Sequence, residues 1–231
     1  MSLGEYIPNS NTKLLLHLNG NSTDSSGNGN NGTDSNITYS QANGKFGQGA
    51  GVNGSSSKIV STTAIGDTAL ASKTLVTWVK IGVDFTYPDG NKGTVVEIKY
   101  NTRIFRIHFF RQTFNKLAGS LFRTNIGDYM LTSTFAVTAA AGWYNCILTF
   151  NGTTLSFYVN GSLIGTSNPN SSPGEIDKGV GYSLGVFSGA YSTSSEYFNG
   201  SIDEVIVENV AWSAEKVKKY FTMTKGRFGI L

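Results

Sequence analysis

The chain contains little cysteine, few charges and only two histidines, and each shortage excludes a class of protein. Cys146 is the single cysteine among 231 residues, so an internal disulfide framework is excluded, and its apolar neighbours predict a buried, unreactive thiol. One cysteine and two histidines without His-x-His spacing argue against a zinc site. The net charge is +3 with 14% charged residues and no dense basic stripe, so we expect no nucleic-acid partner.

Long apolar runs are also missing. No stretch approaches the ~18 consecutive apolar residues that a membrane-spanning helix requires, so we expect no membrane insertion. The first ten residues have neither the basic start nor the apolar run of a signal peptide. These absences predict a protein that folds in a cytoplasm without a signal peptide, whatever surface it later meets.

Glycine is plentiful instead, with 28 residues against four prolines, which favours tight turns. Asn-Gly pairs recur along the chain, among them those at Asn19, Asn31, Asn43, Asn53, Asn151, Asn160 and Asn199. Both residue types tolerate the positive φ that two-residue hairpin turns demand. In the clearest hairpin, Trp143–Thr166, apolar strands flank Asn151 and Gly152. Composition and turns together predict an all-β sandwich or barrel.

Alternating apolar segments predict further strands. They lie at Lys13–Leu18, Lys58–Ser61, Thr74–Val79, Thr94–Tyr100, Arg103–Arg111, Leu117–Arg123, Tyr182–Phe187 and Ser201–Glu208. A single helix is predicted at Ser213–Phe221, where Ser213 can cap the first turn. Val217, Tyr220 and Phe221 form one apolar stripe at helical spacing.

These elements divide the chain into an N-terminal arm, residues 1–12, one β-sandwich domain, residues 13–221, and a C-terminal tail, residues 222–231. A chain of this length fits one large all-β domain. The predicted core residues lie on strands with alternating apolar neighbours, and they are Trp78, Trp143, Phe150, Tyr158 and Ile202.

Two terminal segments carry a family resemblance. Phe198–Phe221 is a turn, a strand beginning at Asp203-Glu204 and the predicted helix, and Leu14–Thr33 is a strand followed by a loop rich in Asp, Asn, Ser and Gly. Together they resemble the last and first motifs of the laminin G-like, concanavalin A-like lectin/glucanase family. Gly44–Val60, Leu75–Lys80 and the central hairpin are similar to its intervening motifs. The resemblance implies a concanavalin A-like jelly-roll sandwich of two antiparallel sheets with a short C-terminal helix.

The resemblance also implies a calcium ion at the rim of the sandwich. Its ligands would be Asp24, in the loop after the first strand, and Asp203, before the final strand, with loop carbonyls completing the oxygen set. Asn19 stands where an acidic residue is frequent in relatives. The alternative is that Asp24 and Asp203 satisfy backbone N–H groups where the two ends of the domain meet.

Because the family includes glucanases, the carboxylates need separate consideration. The nearest match to a catalytic pair is Glu204 and Glu208, which alternation places on one strand face. Four residues of strand separate them by roughly 13 Å at ~3.3 Å per residue. Sugar hydrolysis uses carboxyl groups about 5–9.5 Å apart, so the sequence predicts a protein that is not an enzyme.

Candidate ligand-binding residues lie in two segments. In Arg103–Arg123, a basic and aromatic segment on which Arg106 and His108 share a face, the sheet could bind an acidic glycan or an acidic protein partner. The alternative is a strand whose phenylalanine face is core and whose arginine face is solvated. Tyr191 and Tyr197 are candidates for stacking against sugars.

The leading functional hypothesis is a non-enzymatic carbohydrate- or protein-binding β-sandwich, acting as an adhesion or decoration component of a virion capsid or tail. Its partners would be a glycan or host-surface polysaccharide and capsid or tail proteins, and a homo-oligomer is compatible with the sequence. Two alternatives stay open, namely a purely structural assembly protein without sugar binding and a glycoside hydrolase of the glucanase type.

Overall fold

The computed structural model describes residues 5–44, 47–61, 72–83, 93–100, 103–110, 115–123, 127–169, 183–186 and 197–228. Strands in the first half of these residues are β1 Thr12–Leu16, β2 Thr33–Ser35, β3 Thr38–Ser40, β4 Gly49–Asn53, β5 Lys58–Ser61, β6 Lys73–Ile81, β7 Gly93–Tyr100 and β8 Arg103–Phe110. Those that follow are β9 Lys116–Arg123, β10 Gly127–Thr132, β11 Trp143–Phe150, β12 Leu155–Val159, β13 Ser162–Ser167, β14 Ser183–Val186 and β15 Asn199–Glu208. Helix α1 spans Ala214–Thr224, and 3₁₀ turns occupy Gln41–Asn43, Ala139–Ala141 and Lys225–Phe228.

The described strands form two antiparallel sheets. The first sheet has the order β13-β12-β11-β6-β15-β4-β3, with β1 also paired to β15. The second sheet has the order β10-β9-β8-β7-β14-β5-β2. This arrangement confirms the predicted jelly-roll sandwich, including the C-terminal helix.

Strand β15 brings the two ends of the domain together, as the resemblance implied. Its second half pairs with β1, with Leu16 opposite Val205, while its first half pairs with β4, with Ile202 opposite Ala50. A β-bulge separates Asp203 from Val205 in the pairing with β6. The bulge lies where the outer partner of β15 changes from β4 to β1.

The main core fills the space between the sheets with alternate residues of each strand. Phe105, Ile107 and Phe109 of β8 all point into it, as the alternation predicted. Phe150 and Ile202 are buried there too, which confirms their assignment to the core. Gly119 marks a close approach of the sheets, because a Cβ at this position would lie 2.6 Å from side-chain atoms of Leu148 and Phe157.

A second apolar layer lies on the outer side of the first sheet, beneath α1. Outward residues of the sheet, among them Val76, Ile147 and Ile206, cluster with Val217 and Tyr220 of the helix. The sheet is therefore buried on both faces where the helix covers it.

Three predicted core residues belong to this outer layer rather than to the space between the sheets. Trp78 and Trp143 pack with Phe221, and the rings of Trp78 and Phe221 stack at 6.0 Å between centroids. Tyr158 joins the cluster around Tyr220. All three are buried, as predicted, but on the opposite face of the sheet from Phe150.

Helix α1 begins as the sequence predicted and ends later. The Ser213 hydroxyl accepts a hydrogen bond from the Lys216 N–H, which confirms the cap. The helix continues through Thr224, whose hydroxyl donates to the Tyr220 carbonyl at 2.7 Å. The structure thus places the first residues of the predicted 222–231 tail in the helix. None of the described helices has the length and apolar character needed to cross a membrane.

The predicted N-terminal arm, residues 1–12, lies against α1 where the structure describes it. Tyr6 packs with Trp212 and Tyr220, at ring-centroid distances of 5.9 Å and 6.1 Å. Strand β1 already begins at Thr12. The arm therefore contributes to the outer apolar layer.

Candidate functional site

The loop after β1 is organised around the buried carboxylate of Asp24. Oδ1 accepts hydrogen bonds from the N–H groups of Leu15 at 3.0 Å and Ser26 at 2.9 Å. Oδ2 accepts from the Asn30 N–H at 2.9 Å and from the Ser26 hydroxyl at 2.8 Å. A carboxylate has about four lone-pair sites, so these four bonds use its acceptor capacity. Asp24 thus satisfies backbone N–H groups, as the alternative to metal binding proposed.

The other two predicted calcium ligands do not complete a metal site around Asp24. The Asn19 side-chain oxygen accepts from the Gln48 N–H at 2.9 Å, and Asp203 is buried on β15 opposite Trp78. Among the residues that the structure describes, no three His, Cys, Asp or Glu side chains cluster as metal ligands. The described side chains do not fit a calcium site in this arrangement, and calcium binding stays a prediction that metal-dependent melting can test.

The two glutamates of β15 occupy separate structural settings. Glu204 is the bulged residue, with φ of 58°, and its Oε1 lies 3.0 Å from Nδ1 of His17. Glu208 lies at the other end of the strand pair, opposite Thr12. Each carboxylate is held by its own partners.

Glu208 anchors the N-terminal segment to the helix. Its fully buried carboxylate accepts hydrogen bonds from the Tyr6 hydroxyl, the Trp212 indole N–H, Asn9 Nδ2 at 2.8 Å and Lys216 Nζ at 2.8 Å. Burial alone would raise the pKa of Glu208, but the hydrogen bonds, led by that from Lys216, lower it below its ordinary value. Burial and the neighbouring Glu208 raise the pKa of Tyr6, so the phenol keeps its proton and donates.

The predicted binding face of β8 is buried. The register places Glu97, Arg106 and Ser120 side by side on β7, β8 and β9, and Arg106 Nε donates to the Ser120 hydroxyl at 3.3 Å. Arg106 is 4% exposed and His108 is 0% exposed. The alternative in which the Arg106 face is solvated is therefore wrong. The alternation correctly predicted that Phe105 and Phe109 point into the core. It could not predict that the opposite face of β8, with Arg106 and His108, is buried as well.

The two predicted stacking tyrosines are not brought onto one described surface. Tyr197 is half-buried and forms an isolated parallel bridge to Thr94. Tyr191 lies outside the described residues. The structure therefore leaves sugar stacking by these residues as a prediction.

An open, polar groove lies elsewhere, on the outer face of the first sheet beside the region that α1 covers. We call it the amide groove, and its volume is about 510 Å³. Ile202 and Val79 point into the core, so their neighbours Ser201 and Lys80 point outward into the groove. Its lining consists of Asn36, Thr38, Ala42, Asn43, Gly51, Val52, Asn53, Lys80, Ile81, Gly82, Ala139, Asn199, Gly200 and Ser201.

The floor of the amide groove is a row of outward residues on adjacent strands. Gly51, Ser201 and Lys80 are aligned across β4, β15 and β6. The Ser201 hydroxyl donates to Asn43 Oδ1 at 3.0 Å, and Asn43 Nδ2 donates to the Thr38 carbonyl at 3.0 Å. A Cβ at Gly51 would lie 2.2 Å from Asn43 Nδ2, so glycine leaves the space that this amide occupies.

The rim of the groove presents further amide groups. Asn36 and Asn53 are exposed, and Asn199 is half-buried with its Nδ2 donating to the Asn53 carbonyl at 3.4 Å. Of the lining residues that the structure describes, Lys80 is the one that carries a charge, and none of them carries a carboxylate. Within the described part of the chain, Lys80 has no ion-pair partner.

Sequence reasoning missed this site although it had noted some of its residues. Asn43, Asn53 and Asn199 each precede a glycine, and their pattern was interpreted as turn chemistry alone. Three separate segments bring them together through the pairing of β4 with β15 and of β15 with β6. The available signal was the repetition of Asn-Gly itself.

Comparisons with known proteins agree with this architecture. A model of the concanavalin A-like lectin/glucanases superfamily matches residues 53–218. No curated protein matches the chain by sequence. Domain 4 of AbnA, an extracellular arabinanase from Geobacillus stearothermophilus solved with arabinotriose, superposes with a TM-score of 0.68 at 17% identity, covering 90% of this chain and 97% of that chain.

Toxin binding domains are also similar in fold. The binding domain of Paraclostridial Mosquitocidal Protein 1 has a TM-score of 0.70 at 14% identity, covering 91% of this chain and 52% of that chain. The receptor binding domain of botulinum neurotoxin D has a TM-score of 0.68 at 16% identity, covering 92% of this chain and 52% of that chain. The chain thus spans about half the length of these toxin structures, and the likeness at such identities shows the fold alone.

Proposed function

Because the chain belongs to the concanavalin A-like lectin/glucanases superfamily, we propose that it is a non-catalytic glycan-binding module. The observation that carries this proposal is the amide groove, an accessible concave surface of about 510 Å³ lined by asparagine side chains. This volume lies within the range of roughly 300–1,000 Å³ that is common for small-ligand sites.

The chemistry of the groove suits saccharides. An amide side chain offers an acceptor oxygen and two N–H donors, which matches a sugar hydroxyl that both donates and accepts. Hydrogen bonds to Thr38 and Ser201 already orient the Asn43 side chain. The donor and acceptor positions that it has left for a ligand therefore point in a fixed direction. Asn36, Asn53 and Asn199 surround it at the rim.

The structural neighbours support binding rather than catalysis. The arabinanase domain was solved with a bound trisaccharide, and the two toxin structures are binding domains by name. Within this chain, Glu208 is held by the N-terminal segment and α1, and Glu204 lies beside His17. We therefore propose that neither carboxylate acts as the acid or nucleophile of a hydrolase.

We also propose that the module works on a virion surface, as an adhesion or decoration component. The buried thiol of Cys146 supports a fold that needs no oxidising compartment. One shallow groove binds a sugar weakly, and many copies on one particle would convert weak contacts into firm attachment. Mass spectrometry of purified particles from the source of this gene tests the placement, and absence of the chain from them would refute it.

The glycan-binding proposal is tested by a glycan array followed by titration calorimetry with the best oligosaccharide. Asn199→Ala and Asn36→Ala should each weaken binding about three- to tenfold, as expected for one lost hydrogen bond of about 0.5–1.5 kcal/mol. Asn21→Ala, which removes an exposed amide outside the groove, is the matched control and should bind normally. An equal loss of glycan affinity in all three variants, or no binding of any glycan, would refute the proposal.

A further inference from the structure

We infer that the amide groove selects an acidic saccharide, a sugar bearing a carboxylate or sulfate group, and that Lys80 recognises the anionic group. This inference rests on the proposed glycan-binding function and adds the class of ligand. It also assigns a specificity role to a residue on the floor of the groove.

The charge of the groove favours an anionic ligand. Among the described lining residues, Lys80 supplies the one positive charge, and none is an aspartate or a glutamate. Among the described residues, no hydrogen bond or ion pair involves the Lys80 side chain. An uncompensated ammonium group in a concave polar site attracts an anion and gains a charge-assisted hydrogen bond when it binds one.

Lys80 is partly buried and is held between two neighbouring strands. The residue is half-buried on β6, with Ser201 of β15 on one side and Trp143 of β11 on the other. The Ser201 hydroxyl donates to Asn43, and Trp143 packs under the helix, so the strands fix the start of the lysine side chain. A lysine whose stem is held in this way loses less conformational freedom on binding an anion than a fully exposed lysine does.

Lys80 and the asparagine side chains at the rim occupy different parts of the groove. Lys80 lies at the end of the floor row that begins with Gly51, while Asn53 and Asn199 line the rim. A saccharide can therefore place its anionic group at Lys80 and its hydroxyl groups at the amides. Lysine acts as a compact point charge with three donors, which suits either a carboxylate or a sulfate.

The test compares three trisaccharides of similar size by titration calorimetry: uncharged galactotriose, trigalacturonate with carboxylates, and a sulfated galactose trisaccharide. At least one acidic probe should bind about tenfold more tightly than galactotriose, a difference that corresponds to one charge-assisted hydrogen bond. The advantage should shrink when salt is raised, because screening weakens the attraction. The acidic trisaccharide whose affinity exceeds that of galactotriose by the larger factor shows whether the groove prefers a carboxylate or a sulfate group.

Lys80→Gln should reduce the affinity for the acidic probe to that for galactotriose and leave galactotriose binding unchanged. Lys80→Arg should retain the preference, and Lys58→Gln, a half-buried lysine on β5 of the other sheet, is the matched control. Thermal melting of each variant shows that the fold is intact.

The outcomes separate this inference from the proposed function. If galactotriose binds as tightly as both acidic probes, or Lys80→Gln keeps the acidic preference, the inference is wrong while glycan binding stands. If none of the three probes and no array glycan binds, the proposed function itself fails.

Discussion

Glu208→Gln tests how the N-terminal segment is held to the rest of the molecule. The wild-type carboxylate accepts from Tyr6, Asn9, Trp212 and Lys216, and it is fully buried. Glutamine preserves the shape and one acceptor oxygen. It replaces the other oxygen by an NH₂ group, which then faces hydrogen-bond donors.

The expected cost follows from these contacts. A hydrogen bond to a charged group contributes about 1.5–3 kcal/mol, and breaking a fully buried ion pair costs about 3–5 kcal/mol. The Lys216 side chain is 42% exposed, so its ammonium group can return to water and the upper range does not apply. We expect about 2–3 kcal/mol of destabilisation, which lowers the Tm by about 4–12 °C for a chain of this size.

The assay is thermal and urea unfolding of the variant beside Glu215→Gln. Glu215 lies exposed in the first turn of α1, so its charge contributes only a helix-dipole interaction of about 0.3–1 kcal/mol. Equal destabilisation by the two substitutions would refute the anchoring role of Glu208.

The pH dependence gives a second readout. The pKa of Glu208 lies below its ordinary value of 4.5, so the carboxylate stabilises the folded state above that pH. This stabilisation is lost as the pH falls through the lower folded-state pKa. The stability gap between wild type and Glu208→Gln should therefore narrow on acidification below about pH 4.5. A gap that stays constant through the acidic range would contradict the network.

Three further outcomes are expected. Trp78→Ala should destabilise by about 3–5 kcal/mol because it empties the layer beneath α1, and an unchanged melting curve would show that the residue is not buried there. Asp24→Asn should lower the melting temperature equally with calcium and with chelator, whereas a calcium-dependent gain in wild type, abolished by Asp203→Asn, would establish the predicted metal site. Gly51→Ala should displace the Asn43 amide and reduce glycan affinity, so calorimetry showing wild-type affinity would refute our description of the groove floor.

Some features were predictable from the sequence because their causes are local. The Ser213 cap and the stripe containing Val217 and Tyr220 depend on residues within one helical turn of each other. At Asn160-Gly161, φ values of 51° and 74° match the turn that this residue pair favours. The alternation in β8 likewise identified its core face.

Other features depend on which strands and layers meet. Alternation places Trp78 and Val79 on opposite faces of β6, but both faces of this strand are buried, one against the second sheet and one under the helix. A residue pattern cannot distinguish two apolar environments. The burial of Arg106 was similarly invisible, because a polar face looks the same in sequence whether solvent or protein covers it.

The amide groove is the clearest feature that the residue pattern could not predict. Asn43, Asn53 and Asn199 carry identical local signals for turns, and the sequence by itself determined that much. Their convergence on one surface with Lys80 required the pairing of β4, β15 and β6, contacts between residues up to about 150 positions apart. These contacts form when the inner face of the first sheet is buried against the second sheet and part of its outer face is buried beneath α1. That arrangement of strands is visible only in the tertiary structure.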